Sequence, residues 1–178
     1  MIWMGIFDFA KKEDDKPIAA EELQPFINSI AVSRERLFVR TILYTGINPA
    51  ALAELRWFDI DFSASAFSLF NRKLKRSYQA YVPSGILADY KILGLDNGTP
   101  IFGYTPYTLK RILESHSTNF FGRPKSWHAI RLTYLLNAKR AGERLEVVAN
   151  NMAVSADSLL KYWHPSPEEM RRNVEMIR

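Results

Sequence analysis

The chain has 178 residues, enough for one domain, or for one domain with a short arm. An apolar fraction of 47% that includes four Trp, eight Tyr and eleven Phe supplies a sizeable core and argues against a disordered chain, and no apolar run is long enough to span a membrane. The absence of cysteine excludes a disulfide scaffold, a thiolate metal site and a cysteine nucleophile, while 24 Lys and Arg against 19 Asp and Glu leave a net charge of +5, which admits nucleic acid as a partner without establishing it.

Residues 1–10 are apolar and aromatic, with no basic cluster before them and no small-residue cleavage site after, so they do not read as a secretory signal. Residues 11–16 (KKEDDK) read as a solvated linker, closed by Pro17. Residues 1–17 are therefore expected to form an arm whose apolar tip docks on the domain or on a neighbouring chain. Residues 18–178 are expected to form one domain. From Pro17 the apolar spacing turns helical through Leu23, Phe26, Ile27 and Ile30, with Glu21 and Glu22 in the first turn. Ser33 is placed as the N-cap of a second helix over 34–44 that Gly46 ends. Pro49 suits the first turn of a third, short helix through Leu55.

The period then changes. Residues 67–70 and 79–82 are strand-like, and Asn71 to Arg76 between them form a basic turn. This predicts a β-hairpin, or a three-stranded sheet starting near 58–62. A helix is expected over 84–92 and a loop over 96–100. Thr105-Pro106 opens another helix, and Ser126 caps a further one over 127–139 that ends by Gly142. Leu145, Val147 and Val148 mark a short helix, Ser155 caps the next, and Pro165-Ser166-Pro167 introduces the last. The class is mainly α with a small antiparallel sheet, an α+β arrangement.

Two features bear on chemistry. Cations on the projecting hairpin, Arg72, Lys73, Lys75 and Arg76, are of a kind that reaches phosphate. His128 and Arg131 stand at i and i+3, which on a helix share a face, and a guanidinium there bonds two oxygens at once. The three histidines, at 116, 128 and 164, are too few for a His-rich metal site.

The order of these features resembles the catalytic domain of the tyrosine recombinases, or phage integrases, from about residue 19 to the C-terminus. The segments LYTG (43–46), LAELRWFDID (52–61), the basic hairpin ending in Val82-Pro83, WHAIRLTY (127–134), Ala141-Gly142 and LLKYW (159–163) carry the likeness. The resemblance implies double-stranded DNA as the partner, DNA recombination and integration as the setting, and no metal or other cofactor. It implies a tyrosine hydroxyl that attacks a phosphodiester, arginines and a histidine that stabilise the oxygens, and a hairpin lysine that protonates the leaving group. By that likeness His128 and Arg131 fill the histidine and second-arginine positions, and Lys75 fills the lysine position, with Lys73 second choice. Asn48 stands where the first arginine belongs, Ala51 where an acid does, Val154 at the later His or Trp position and Trp163 at the nucleophile. Tyr162 is one residue early, about 100° around the helix.

These departures imply a DNA-binding module that has lost cleavage; the expected location is the cytoplasm, at the nucleoid if the chain is DNA-bound. Two other readings stay open. One is an active strand-transfer enzyme with Tyr162 as nucleophile. The other is an interaction protein that kept the fold and self-associates through its terminal segments.

Overall fold

The computed structural model describes residues 16–72, 75–94 and 98–164. Helix α1 (Ala20–Ser29) buries Leu23, Phe26 and Ile27, while Glu21 and Glu22 sit favourably in its first turn. Helix α2 (Ser33–Thr45) buries Leu37, Phe38, Thr41 and Ile42. Ser33 is its first helical residue, so the cap position falls on Val32 and no side chain caps it, one residue from the expectation. Gly46 ends the helix in the left-handed region, at φ 64°. Helix α3 (Pro49–Glu54) follows directly, then a 3₁₀ turn over Trp57–Asp59.

The sheet has the order β1 (Ile60–Asp61), β2 (Ala66–Asn71), β3 (Arg76–Tyr81), all antiparallel. The register pairs Phe67 with Ala80 and Leu69 with Tyr78, so these four side chains share the inner face. Ser68, Phe70, Ser77 and Gln79 take the outer, exposed face. Both long strands run further than the sequence pattern indicated and leave only residues 72–75 for the turn, because the polar pair Asn71 and Arg76 still sits in register. Within the expected loop over 96–100, Pro100 bridges to Arg56, whose Nη1 donates to the Gly98 carbonyl at 2.7 Å.

Helices α4 (Ser84–Leu93), α5 (Pro106–Phe121), α6 (Trp127–Arg140), α7 (Leu145–Asn151) and α8 (Ala156–Trp163) complete the described chain. Thr105 and Ser126 cap α5 and α6 with their hydroxyls, each accepting a backbone N–H at 3.1 Å. Ser155 occupies the cap position of α8 without a side-chain cap bond.

The buried side chains form two clusters. The larger holds α1 to α5 and the sheet together, with Phe67, Tyr90, Phe102 and Phe38 in a chain of edge-on aromatic contacts. The smaller joins Tyr134 and Leu135 to Val148, Met152 and Leu159. Helix α6 belongs to both, through Ile130 on one side and Tyr134 on the other. That position explains why it buries residues almost all round: Ala129, Ile130, Arg131, Thr133, Tyr134 and Leu135.

Residues 1–15 of the arm expected over 1–17, and the last helix expected from Pro165-Ser166-Pro167, lie outside the described residues. At the arm's inner end Ile18 is already core, and its N–H donates to Thr133 Oγ1 at 2.8 Å. Among the described residues no helix is long and apolar enough to cross a membrane.

Candidate functional site

Arg131 is 9% exposed. Its Nη2 donates to the Met152 carbonyl at 2.5 Å, at the C-terminal end of α7, where exposed carbonyl dipoles favour a cation. Its Nε is buried and has no hydrogen-bond partner among the described residues. Burial lowers its pKa to about 10, so the guanidinium still carries its charge at neutral pH. Leaving such an N–H unpaired costs about 1–3 kcal/mol unless something arrives to accept it.

The neighbour that feels this charge is Tyr78 of β3. Its hydroxyl is likewise buried and unpartnered among the described residues. Burial raises the phenol to about 12, and the nearby Arg131 charge pulls in the opposite direction.

Strand β3 is an edge strand, and α7 covers its open side with two asparagines. Asn151 accepts from the Tyr81 N–H and donates to the Tyr81 carbonyl, both at 2.9 Å. Asn150 Nδ2 donates to the Gln79 carbonyl at 2.5 Å. The carboxamides thus stand in for a missing strand and satisfy an edge that would otherwise invite pairing. They also fix the hairpin to the helix whose end holds Arg131. Between the sheet and α7 lies an open groove of about 660 Å³, lined by Ser77, Tyr78, Tyr81, Arg144 and Asn150 among others.

The hairpin cations are unequal. Lys75 and Arg76 are exposed, with Lys75 in the left-handed region at φ 49°. Arg72 is exposed and ion-paired with Glu54 of α3. Lys73 lies outside the described residues. His128 is exposed on the first turn of α6, whereas Arg131, one turn further, is buried. The two share a helix side, as the spacing requires, and differ in depth: α6 passes between the two clusters, and a single turn goes from an exposed to a buried residue.

Asn48 is exposed and is the N-cap of α3. Its Oδ1 accepts from the Ala50 N–H at 2.8 Å, ahead of Pro49 in the first turn. Ala51 is half-buried against the larger cluster. Val154, Tyr162 and Trp163 are half-buried against the smaller one. Burial also pushes the Tyr162 phenol up, and Lys161 Nζ lies 5.0 Å from its ring centre.

Sequence reasoning did not single out Tyr78, Asn150, Asn151 or Met152. Tyr78 carried a usable signal: in a strand it alternates in phase with Ala80, which puts a phenol on the inner face. The asparagines and the Met152 carbonyl act through tertiary placement and had none.

No family model matches the sequence, and no curated protein matches it. Solved structures do. XerA recombinase superposes with a TM-score of 0.72 at 14% identity, over 91% of this chain and 65% of that one. The Tn1549 transposon integrase, solved with a circular intermediate DNA, gives 0.70 at 15% identity, over 96% of this chain and 68% of that one. XerH site-specific recombinase bound to difH substrate gives 0.68 at 15%, over 98% and 57%. The chain thus spans from somewhat over half to about two thirds of the proteins it superposes on. At these identities the likeness is one of fold, and it agrees with the mainly helical chain, the three-stranded antiparallel sheet and the order of the sequence segments: this chain has the catalytic-domain fold of the tyrosine recombinases.

Proposed function

We propose that this chain is a DNA-binding module that uses the recombinase fold to hold duplex phosphates and does not cleave them. Lys75, Arg76 and Arg72 present the outer cations on the hairpin, His128 adds an exposed imidazole at the start of α6, and Arg131 supplies the inner cation; Lys73 adds a further positive charge to the hairpin sequence. The observation that carries this reading is Arg131: a buried guanidinium anchored on one side by a helix end, with a donor left over. Such a group is preorganised for an oxyanion. The ion pair of Arg72 with Glu54 is no obstacle, because exposed pairs of this kind exchange at little cost.

Loss of cleavage is supported by two side chains. Asn48 is neutral and engaged as a helix cap, and Trp163 has no hydroxyl. Tyr162 packs on the smaller cluster, and the Arg131 charge acts on the phenol of Tyr78.

Binding to labelled duplex DNA across a salt series tests the first part. Affinity is expected to fall steeply with salt, and Lys75→Ala to lower the slope by about one. Binding at low salt no tighter than that of a neutral control protein overturns it. A nicked suicide duplex tests the second part: no covalent adduct is expected, and an adduct on Tyr162 restores the enzyme reading.

A further inference from the structure

Helix α7 closes the open edge of β3 only in part. The Tyr81 N–H and C=O both point off the sheet, toward Asn151. Residues two apart on a strand point the same way, so Gln79 and Ser77 face that edge as well. Asn150 takes the Gln79 carbonyl. The Gln79 N–H and both backbone groups of Ser77 have no hydrogen-bond partner among the described residues. An added peptide strand usually pairs over about 3–10 residues, and the two asparagines leave it far less than that. A planar ligand with donors and acceptors along one edge matches the three groups that remain.

The groove of about 660 Å³ between sheet and α7 is lined by these same residues, and its size falls within the range of about 300–1,000 Å³ typical of small-ligand sites. Tyr81 lines it too, and is 50% exposed although its backbone is held on both sides. Such a ring offers a flat face at little cost in conformational entropy. Arg144 and Glu146 line it from α7, paired at 3.5 Å and largely exposed, so the pair opens easily. Arg76 immediately precedes Ser77, so the groove begins where the hairpin cations end. We infer that this groove holds one unpaired nucleotide of a DNA strand, with its base stacked on Tyr81, its base edge bonded to Ser77 and Gln79, and its phosphate beside Arg144. The inference rests on the DNA-binding reading for the strand that delivers the nucleotide. Stacking of this kind tolerates any base, since every base has a π-face.

A duplex carrying one bulged nucleotide, compared with a fully paired duplex of the same flanking sequence, tests this. The unaltered protein is expected to bind the bulged duplex about tenfold more tightly, within the worth of one base–aromatic stack. Tyr81→Ala is expected to abolish that advantage and to leave affinity for the paired duplex unchanged. The variant keeps its clamp, because Asn151 bonds main-chain atoms of residue 81 and not its ring. Tyr81→Phe retains the ring and is expected to retain the advantage. Equal binding of the two duplexes by the unaltered protein, or a preference that survives Tyr81→Ala, overturns the inference and leaves the DNA-binding reading standing.

A mononucleotide separates the two ideas. Where neither duplex binds, the DNA reading falls and the groove is still tested by deoxyadenosine monophosphate. Its addition to the unaltered protein is expected to move the ring-proton NMR signals of Tyr81, and stationary signals overturn the inference. Sedimentation covers the remaining occupant. The oligomeric state is expected to be the same in the unaltered protein and in Tyr81→Ala; a dimer that Tyr81→Ala dissociates marks the groove as a contact between copies of the chain and overturns the inference.

Discussion

Asn151 bonds both the N–H and the C=O of Tyr81, so a single carboxamide from α7 completes the ladder on the open edge of β3. Asn151 is itself buried, at 4% exposure, and water does not readily replace it. Asn151→Ala leaves two backbone groups unpaired and is expected to cost about 2 kcal/mol, a fall in Tm of roughly 4–8 °C for a domain of this size. Thermal melts followed by circular dichroism check this, and an unchanged Tm refutes it.

Gly46 has a second role beyond ending α2. Its φ is +64°, and a Cβ there would collide with Tyr134 Cδ1 and come within 2.9 Å of Met152 Cγ. Gly46→Ala therefore combines backbone strain with overpacking and is expected to destabilise by about 3 kcal/mol. Because Met152 also holds Arg131 through its carbonyl, duplex affinity is expected to drop at temperatures where the variant is still folded. Binding isotherms well below the variant's Tm check the second half.

Asn48 stabilises rather than reacts. Asn48→Ala is expected to cost about 1 kcal/mol through loss of the α3 cap, and Asn48→Asp to be neutral or slightly stabilising, since a carboxylate caps as well and suits a helix N-terminus. Denaturant midpoints of the two variants distinguish this from a role in binding, in which the added negative charge of Asp would be the more harmful change.

Alkaline pH acts through buried phenols. Tyr78 and Tyr134 are raised from 10.0 to about 12 by burial, and Tyr90 is raised further still. The folded chain keeps these protons after the unfolded chain has lost them, so their contribution is complete below about pH 10 and is lost as pH climbs toward 12. Arg131 works the other way, since burial lowers it from 12.5 to about 10 and its charge ceases to penalise the folded state above that value. Three phenols outweigh one guanidinium, so Tm is expected to decline above about pH 10. In Tyr134→Phe the decline is shallower; a Tm that rises with alkalinity refutes the assignment.

Much of the architecture was legible in the residues. Apolar spacing located the helices, Thr105 and Ser126 announced their own caps, and the change of period between 67 and 82 marked the hairpin. Ser33 misled by one residue, since α2 starts on it and the cap falls on Val32, and Ser155 holds the cap position of α8 without making the side-chain bond. The pairing of His128 with Arg131 was legible as a helix side and illegible as depth. Depth is set by what packs against α6: Met152 meets Arg131, and Asn151 meets Tyr81 of β3, only through tertiary packing.

The sharing of α6 between two clusters also sets the order in which the molecule comes apart. The smaller cluster, built on α7 and α8, has far fewer buried side chains than the larger and is the element most prone to local opening. Met152 lies in it, so each opening releases the Arg131 guanidinium while the larger cluster stays intact. The anchoring of Arg131 is therefore expected to follow a sub-global equilibrium, which amide exchange in α7 reports more directly than the melting of the whole chain.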